Sequence, residues 1–240
     1  MARSTTIARS TTRNFRRWIA RAVTCVVILA LLPFVMVPVY AVINPPITIL
    51  QLSKAWHGNA IKKNWVGLRQ IASTLPAAVI ASEDARFCSH QGIDWEVIQK
   101  VVEDKLENPD KKVRGASTIT MQIAKNLFFP PDRSLLRKTM EVPLALWIDV
   151  IWSKRRQMEV YLNIVEWAPG IYGAGAAAKH HFRKPATKLT RRDAARLAAS
   201  LPNPRVRKAG RPGPLTRRIA ARVERRMRAG TADISCLRTG

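Results

Sequence analysis

Residues 76–92 read Pro-Ala-Ala-Val-Ile-Ala-Ser-Glu-Asp-Ala-Arg-Phe-Cys-Ser-His-Gln-Gly. Pro76 suits the first turn of a helix, and the small and apolar residues that follow it extend the helix to Glu83. Glu83 and Asp84 are also the first acidic residues of the chain, whose first 82 positions contain neither Asp nor Glu. A carboxylate in such a strongly basic chain is a candidate for ligand binding or proton transfer. We therefore take the end of this helix as the first candidate site.

Two interpretations of this helix end are open from the segment alone. In the functional one, Glu83 faces a cleft while Phe87 and His90 shape the turn that follows. In the other, the acidic pair lies on the surface of an ordinary helix end, and Phe87 belongs to the core. The choice between them depends on segments elsewhere in the chain.

The N-terminal part contains an uncharged, mostly apolar run from Ala22 to Ile43. As a helix, these 22 residues would span about 33 Å, which is enough to cross the hydrocarbon core of a membrane. Several arginines lie just before the run, so we expect the N-terminus to be cytoplasmic and the rest of the chain to lie outside the cytoplasm. The alternative is a signal peptide cleaved after Ala41, although the run is long for that role.

The remaining helix signals come in series from Pro76, whereas alternating strand patterns are nearly absent. The predicted helix caps are Asp94, Ser117, Ser134, Ser153 and Thr190, the last with Asp193 as a capping box. The fold class is therefore mostly α, with one N-terminal transmembrane helix. The predicted segments are a basic cytoplasmic N-terminus at 1–21, the transmembrane helix at 22–43, a basic lead-in at 44–75, a catalytic domain at 76–204 and a basic C-terminal tail at 205–240.

The composition points to polyanionic partners, since 41 Lys and Arg against 16 Asp and Glu give a formal charge of +25. Nucleic acid, anionic lipid headgroups and phosphorylated substrates all meet this description. The expected location outside the cytoplasm argues against nucleic acid as a partner of the main domain. Three widely spaced cysteines, at 25, 88 and 236, show neither metal-site spacing nor a disulfide framework.

Two further segments can hold a phosphate. The first is Gly-Ala-Ser-Thr-Ile-Thr-Met-Gln at 115–122, where a helix start offers N–H groups and hydroxyls, with Lys125 one turn later. The alternative is an ordinary cap followed by an amphipathic helix. The second comprises Arg133, Arg137 and Glu141, which share one helical face if the helix extends that far. Their alternative is a salt-bridged face exposed to solvent.

Taken in order, these segments resemble the peptidoglycan glycosyltransferases that polymerise lipid II, in their monofunctional, membrane-anchored branch. The motifs that carry the resemblance are Glu-Asp-x-x-Phe-x-x-His-x-Gly at 83–92, Gly-x-Ser-Thr-Ile-Thr-x-Gln at 115–122, Arg-Lys-x-x-Glu at 137–141, Lys154 with Tyr-Leu-Asn at 161–163, and Leu-Ala-x-x-x-Pro-x-Pro at 197–204. Met121 departs from the family pattern, which has Gln at that position. The resemblance covers about residues 56–230.

The resemblance implies a lysozyme-like helical glycosyltransferase domain and assigns roles to individual residues. Glu83 matches the catalytic base, and Glu141 matches a second essential acid that orients cations or phosphates. The implied substrate-binding residues are Asp84, Phe87, His90, Gly92, Ser117, Thr118, Gln122, Lys125, Arg133, Arg137, Lys138 and Asn163. We expect Asp84 also to stabilise the turn or a neighbouring cation.

The implied reaction joins the 4-hydroxyl of one lipid-linked disaccharide to the anomeric carbon of another, with inversion and release of undecaprenyl pyrophosphate. No cofactor is required for it, and a divalent ion, Mg²⁺ or Mn²⁺, at the pyrophosphate is an open option. The implied partners are lipid II, the growing glycan strand, membrane lipids and cell-wall synthesis or division proteins, with the domain on the periplasmic side of a bacterial inner membrane. The alternatives are a lysozyme-like lytic enzyme and a non-catalytic membrane-anchored scaffold.

Overall fold

The computed structural model describes residues 4–109, 117–131 and 134–237. Within these residues the chain is mostly helical, which confirms the predicted fold class. The helices are α1 Ser4–Val42, α2 Ile49–Trp56, α3 Thr74–Glu83, α4 Trp95–Glu107, α5 Ile119–Phe128, α6 Leu135–Ile151, α7 Lys154–Ile164, α8 Ala174–Phe182, α9 Arg191–Ser200 and α10 Pro214–Arg228. Short strands β1 Lys62–Lys63, β2 Glu166–Ala168 and β3 Ile171–Tyr172 form a small sheet in the order β1-β3-β2. Strand β3 is parallel to β1 and antiparallel to β2.

Side-chain caps set the starts of most helices, as the sequence predicts. Asp94, Ser134, Ser153 and Thr190 each accept a hydrogen bond from the backbone N–H three residues later. Helix α5 differs by one residue, because the hydroxyl of Thr118 rather than that of Ser117 accepts from the N–H of its third residue. The chain therefore enters α5 with Thr118 as its cap.

Helix α3 lies at the centre of the domain. Its residues Leu75, Ala78, Val79, Ile80 and Ala81 are all almost fully buried, so apolar side chains surround the helix on all sides. It packs against α9 and α10, while α5 packs against α6 and α7. The Ala-rich sequence of α3 thus fits a helix enclosed by others, and this burial fixes the position of Glu83 at its end.

Helix α1 has an apolar part, Phe15–Val42, that is long and apolar enough to cross a membrane and is almost entirely exposed. This is consistent with the predicted membrane anchor. The C-terminal end of α1 docks on the domain, where the indole N–H groups of Trp147 and Trp152 donate to the carbonyl oxygens of Phe34 and Val37, at 3.0 and 2.7 Å. Helix α1 and the domain are therefore joined by specific contacts as well as by the chain.

The C-terminal segment is more closely packed than the basic tail predicted at 205–240. Helix α10 packs on α9 and α3, with Ala220 and Val223 buried at the contact. Cys88 forms a disulfide with Cys236. The expectation of no disulfide framework was therefore wrong, and α10 with the following segment belongs to the packed domain.

Candidate active site

Glu83 is the last residue of α3, and its carboxylate lies at the wall of a cleft. The amide nitrogen of Gln122 donates to Oε2 of Glu83 at 3.3 Å, and the hydroxyl of Ser82 donates to Oε1 at 3.2 Å. Burial raises the pKa of Glu83, while these two hydrogen bonds and the charges of Lys125 and Arg207 oppose the rise. The net shift is upward, so Glu83 holds a proton more readily than an exposed glutamate does.

Tyr161 fixes the orientation of Gln122. The phenol of Tyr161, on α7, donates to Oε1 of Gln122 at 3.0 Å, which leaves the amide N–H₂ of Gln122 to face Glu83. Burial and the charges of Glu83 and Asp84 raise the pKa of Tyr161 well above its usual value, so this residue stays neutral and remains a donor. The resemblance assigns no role to Tyr161, although it belongs to the Tyr-Leu-Asn motif that carries the resemblance.

Asp84 connects the first motif to the start of α5. Its carboxylate accepts from Nε2 of His90 at 2.9 Å and from the backbone N–H of Ile119 at 2.9 Å. The hydroxyl of Thr118 donates to the carbonyl oxygen of Gly92 at 2.6 Å, which ties the same two segments together a second time. Asp84 thereby also satisfies one of the unpaired N–H groups at the start of a helix.

Gly92 and Phe87 complete this internal framework. Gly92 has φ +76°, and a Cβ atom there would lie 2.9 Å from the carbonyl oxygen of Ala145, so a side chain would be strained and obstructed. Phe87 is fully buried, and the ammonium group of Lys154 lies 4.8 Å from the centre of its ring. Four residues of the first motif, Asp84, Phe87, His90 and Gly92, thus make internal contacts, and their predicted substrate contacts stay predictions.

A second group of charged residues lines a cavity of about 320 Å³ next to Glu83, together with Gln122 and Tyr161. Lys125 and Arg137 line this cavity, and Nη1 of Arg137 lies 3.1 Å from Oε1 of the buried Glu141. Burial lowers the pKa of Lys125, and Arg137 lowers it further, whereas Glu141 and Glu83 act in the opposite direction. Lys125 therefore interacts with both Glu83 and Glu141, while Arg137 pairs with Glu141. The cavity lining also contains the acid Glu166, and its two cations can receive a negatively charged group.

A second cavity, also of about 320 Å³, is lined by Glu83 itself and by Asp84, Ser117 and Thr118. Arg86 and Arg226 line it as well, together with a further acid, Asp94, which pairs with Arg86. Glu83 thus lines this cavity and is hydrogen-bonded to Gln122 in the lining of the other, and cationic side chains line both. Sequence reasoning missed Arg226 and Arg207, because each is one of many arginines in the C-terminal region.

The other predicted residues lie in different surroundings. Lys138 is exposed on α6. Asn163 is fully buried, and its amide exchanges hydrogen bonds with the backbone of Val66, at 3.0 and 2.8 Å. Arg133 lies outside the described residues. The roles predicted for these three residues in substrate binding stay predictions.

The sequence matches known proteins over most of its length. A protein-family model described as Transglycosylase matches residues 51–228. The chain is 46% identical over 225 residues to the biosynthetic peptidoglycan transglycosylase of Agrobacterium fabrum (strain C58 / ATCC 33970), covering 93% of this chain and 99% of the relative. It is 47% identical over 233 residues to the protein of that name from Rhizobium meliloti (strain 1021), covering 97% of each. The chain belongs to the transglycosylase family.

Membership in the transglycosylase family confirms the resemblance, the enzyme class and the helical fold. Met121 is the one residue of the second motif that departs from the family pattern. Met121 is buried in a small apolar cluster with Ile93 and Ala145. Gln122 and Lys125 line the cavity, whereas Met121 is not among the described residues that line it. The departure from the family pattern thus falls on a residue of the buried packing, which does not line the cavity.

Proposed function

We propose that this transglycosylase elongates glycan strands of peptidoglycan from lipid II. The observation that carries the proposal is the carboxylate of Glu83, with its raised pKa, beside a cavity whose lining includes Lys125 and Arg137. In the proposed reaction, the 4-hydroxyl of one lipid-linked disaccharide attacks the anomeric carbon of another. The oxygen–carbon bond forms on the face opposite the leaving group, so the anomeric configuration inverts, and undecaprenyl pyrophosphate departs.

Glu83 acts as the general base in this scheme. An alcohol is a weak nucleophile, and removal of its proton in the transition state accelerates the attack. The raised pKa of Glu83 makes the ionised carboxylate a stronger base than an exposed glutamate. Gln122, held by Tyr161, keeps the carboxylate in place, while the proton of the attacking hydroxyl passes to Glu83.

The cationic cavity serves the leaving group. Pyrophosphate departs without protonation, but the negative charge that develops on it needs compensation, which Lys125 and Arg137 supply. Glu141 holds the guanidinium of Arg137 and thereby orients it toward the cavity. Among the described residues no group of three or more His, Cys, Asp or Glu side chains could hold a metal ion. Metal dependence stays a prediction, which the polymerisation assay with and without EDTA tests.

The alternative is a lytic enzyme that cleaves peptidoglycan. A raised carboxyl pKa also suits the general acid of a glycoside hydrolase, whose sugar leaving group must be protonated. The cations of the cleft favour the transferase, because a neutral sugar leaving group gains little from them. Purified protein supplied with lipid II alone should produce long glycan strands. Solubilisation of preformed cell wall without any polymer would favour the lytic enzyme.

Glu83→Gln tests the role of the base. The amide keeps the shape of the side chain but cannot accept the proton, so we expect polymerisation of lipid II to fall by a factor of about 10²–10⁴. The matched control is Glu103→Gln, which makes the same chemical change at an exposed position of α4. Equal circular dichroism spectra would show that both variants fold. Full polymerisation activity of Glu83→Gln would refute the proposed role of Glu83 as the base.

We also propose that α1 anchors the protein in a bacterial inner membrane, with the N-terminus in the cytoplasm and the domain in the periplasm. The disulfide between Cys88 and Cys236 supports this orientation, because such bonds persist in oxidising compartments. Lipid II, the growing strand and membrane lipids are the proposed partners, together with cell-wall synthesis or division proteins. Protease added to intact spheroplasts should digest the domain, whereas protection until lysis would place it in the cytoplasm.

A further inference from the structure

A third cavity, of about 500 Å³, shares none of the described lining residues with the two cavities beside Glu83. It lies at the start of α3, whereas Glu83 is at the end of this ten-residue helix, roughly 14 Å away along the axis. A ligand in this cavity therefore does not occupy the position of the reacting sugars. Its apolar wall is formed by Leu68, Ile71, Pro76, Met227, Ile234 and Leu237.

The charged lining of the third cavity has one sign. Arg69, Arg155 and Arg191 line it, and among the described residues no Asp or Glu does. Arg155 also donates to the carbonyl oxygen of Leu237, which holds the C-terminal segment as one wall. Asp233 lines only the adjoining cavity, where its carboxylate accepts a hydrogen bond from the N–H of Ser235 at 2.9 Å.

The backbone adds to this positive charge. Arg155 is the second residue of α7, Arg191 is the first of α9, and Thr74 is the first of α3, so the N-terminal ends of three helices meet at the cavity. Each helix start carries a partial positive charge, and here three arginine side chains add to it. Ser73, which precedes α3 and also lines the cavity, makes no capping hydrogen bond with its side chain.

The cavity is close to the end of the apolar helix α1. The N–H of Leu68, in the cavity wall, donates to Oε2 of Glu159 at 2.9 Å, and the other oxygen of Glu159 accepts from Arg156 at 2.8 Å. Arg156 in turn donates to the carbonyl oxygen of Ile43, just after α1, at 2.8 Å. Two hydrogen-bonded side chains thus separate the cavity from the place where α1 leaves the domain.

We propose that this cavity binds an anionic phospholipid of the surrounding membrane. The phosphate contacts Arg69 and Arg191, and part of an acyl chain lies against the apolar wall. The volume is within the range of sites that bind small molecules, about 300–1,000 Å³. An anionic headgroup meets the charge, an acyl chain meets the apolar wall, and the position beside α1 brings the two together. This lipid site is additional to the cleft that holds the sugar substrates.

The test measures binding of a short-chain lipid to the purified full chain in a neutral detergent. The probe is dihexanoyl phosphatidylglycerol, with dihexanoyl phosphatidylcholine and glycerol phosphate as comparisons, and isothermal titration measures each affinity. We expect the anionic lipid to bind at least five-fold more tightly than either comparison. Equal affinity for glycerol phosphate would overturn the proposal in favour of a phosphate site without an apolar component.

Variants separate a specific site from general attraction to a basic protein. Arg69→Gln with Arg191→Gln should weaken binding of the anionic lipid at least five-fold. The matched control, Arg218→Gln with Arg222→Gln, removes the same charge from the exposed face of α10 and should change affinity less than two-fold. Ala77→Phe fills the cavity without changing charge and should also weaken binding. Equal losses in the two arginine pairs would refute the site, and neither pair removes a buried side chain.

Discussion

Replacing both Cys88 and Cys236 by Ala removes a covalent link between residues 148 positions apart. In the loop-entropy treatment, a cross-link over such a span stabilises the folded state by about 5 kcal/mol at 25 °C, because it restricts the unfolded chain. Noncovalent contacts hold the same segment, including the bond from the Ser89 hydroxyl to Asp233 at 3.4 Å. We therefore expect the fold to survive and the free energy of unfolding to fall by about 3–5 kcal/mol.

Thermal unfolding in detergent, followed by circular dichroism, measures this effect. For a domain of this size each kcal/mol corresponds to about 2–4 °C, so the midpoint should fall by roughly 10 °C. Dithiothreitol should produce the same fall in the wild type and no further fall in the double variant. The control is Cys25→Ser, because Cys25 is exposed in α1 and unpaired. This variant should melt like the wild type and respond equally to reduction.

Two results would refute the reasoning about the disulfide. If oxidised and reduced wild-type protein unfold at the same temperature, the cross-link does not restrict the unfolded chain enough to matter. If mass spectrometry finds Cys88 and Cys236 alkylated without prior reduction, the disulfide does not form in the isolated protein. The second result would also remove the support that the disulfide gives to an oxidising compartment.

Three further predictions concern Glu83, the proposed base, and its neighbours. Burial raises the pKa of Glu83 in the folded protein above its value in the unfolded chain. The contribution of Glu83 to the free energy of unfolding is therefore complete below its pKa in the unfolded chain, and it is lost as pH rises through its pKa in the folded protein. The midpoint of thermal unfolding should therefore be higher for Glu83→Gln than for the wild type at neutral pH, and this difference should shrink in acid. Tyr161→Phe frees the amide of Gln122, so kcat should fall about ten-fold with little change in KM. The acidic limb of the pH–kcat profile should also move to higher pH. If this limb does not move, the role of Tyr161 is purely structural. Asp84→Ala leaves His90 and the start of α5 without their buried acceptor. Denaturant titration should therefore show that the free energy of unfolding falls by about 3 kcal/mol. An unchanged denaturation midpoint would contradict this structural role of Asp84.

Local signals made the helices predictable from the sequence. The caps at Asp94, Ser134, Ser153 and Thr190 depend on residues within three positions, and the structure places all four as expected. The start of α5 differed by one residue because Ser117 and Thr118 are both good caps, and only the contact of Thr118 with Gly92 decides between them. Contacts between distant segments therefore determine what local propensity leaves open.

Nonlocal pairing explains what could not be predicted at the C-terminus. The partner of Cys88 is 148 residues away, so spacing along the chain carries no information about the pair. Helix α10 is rich in arginine, and its few small and apolar residues resemble those of a solvated tail. Ala220 and Val223 are three residues apart, however, and they face α9 and α3 with enough apolar surface to dock the helix.

The second motif shows how one helix divides its residues between the framework and the cleft. Met121 packs in an apolar cluster with Ile93 and Ala145, while Gln122 and Lys125, three residues apart, line the cavity. An amide in place of Met121 would need hydrogen-bond partners in that cluster, whereas a thioether needs none. The departure from the family pattern therefore suits the apolar surroundings and leaves the cavity-facing residues in place. The cleft depends on Gln122 and Lys125, and the framework depends on the packing of their neighbours.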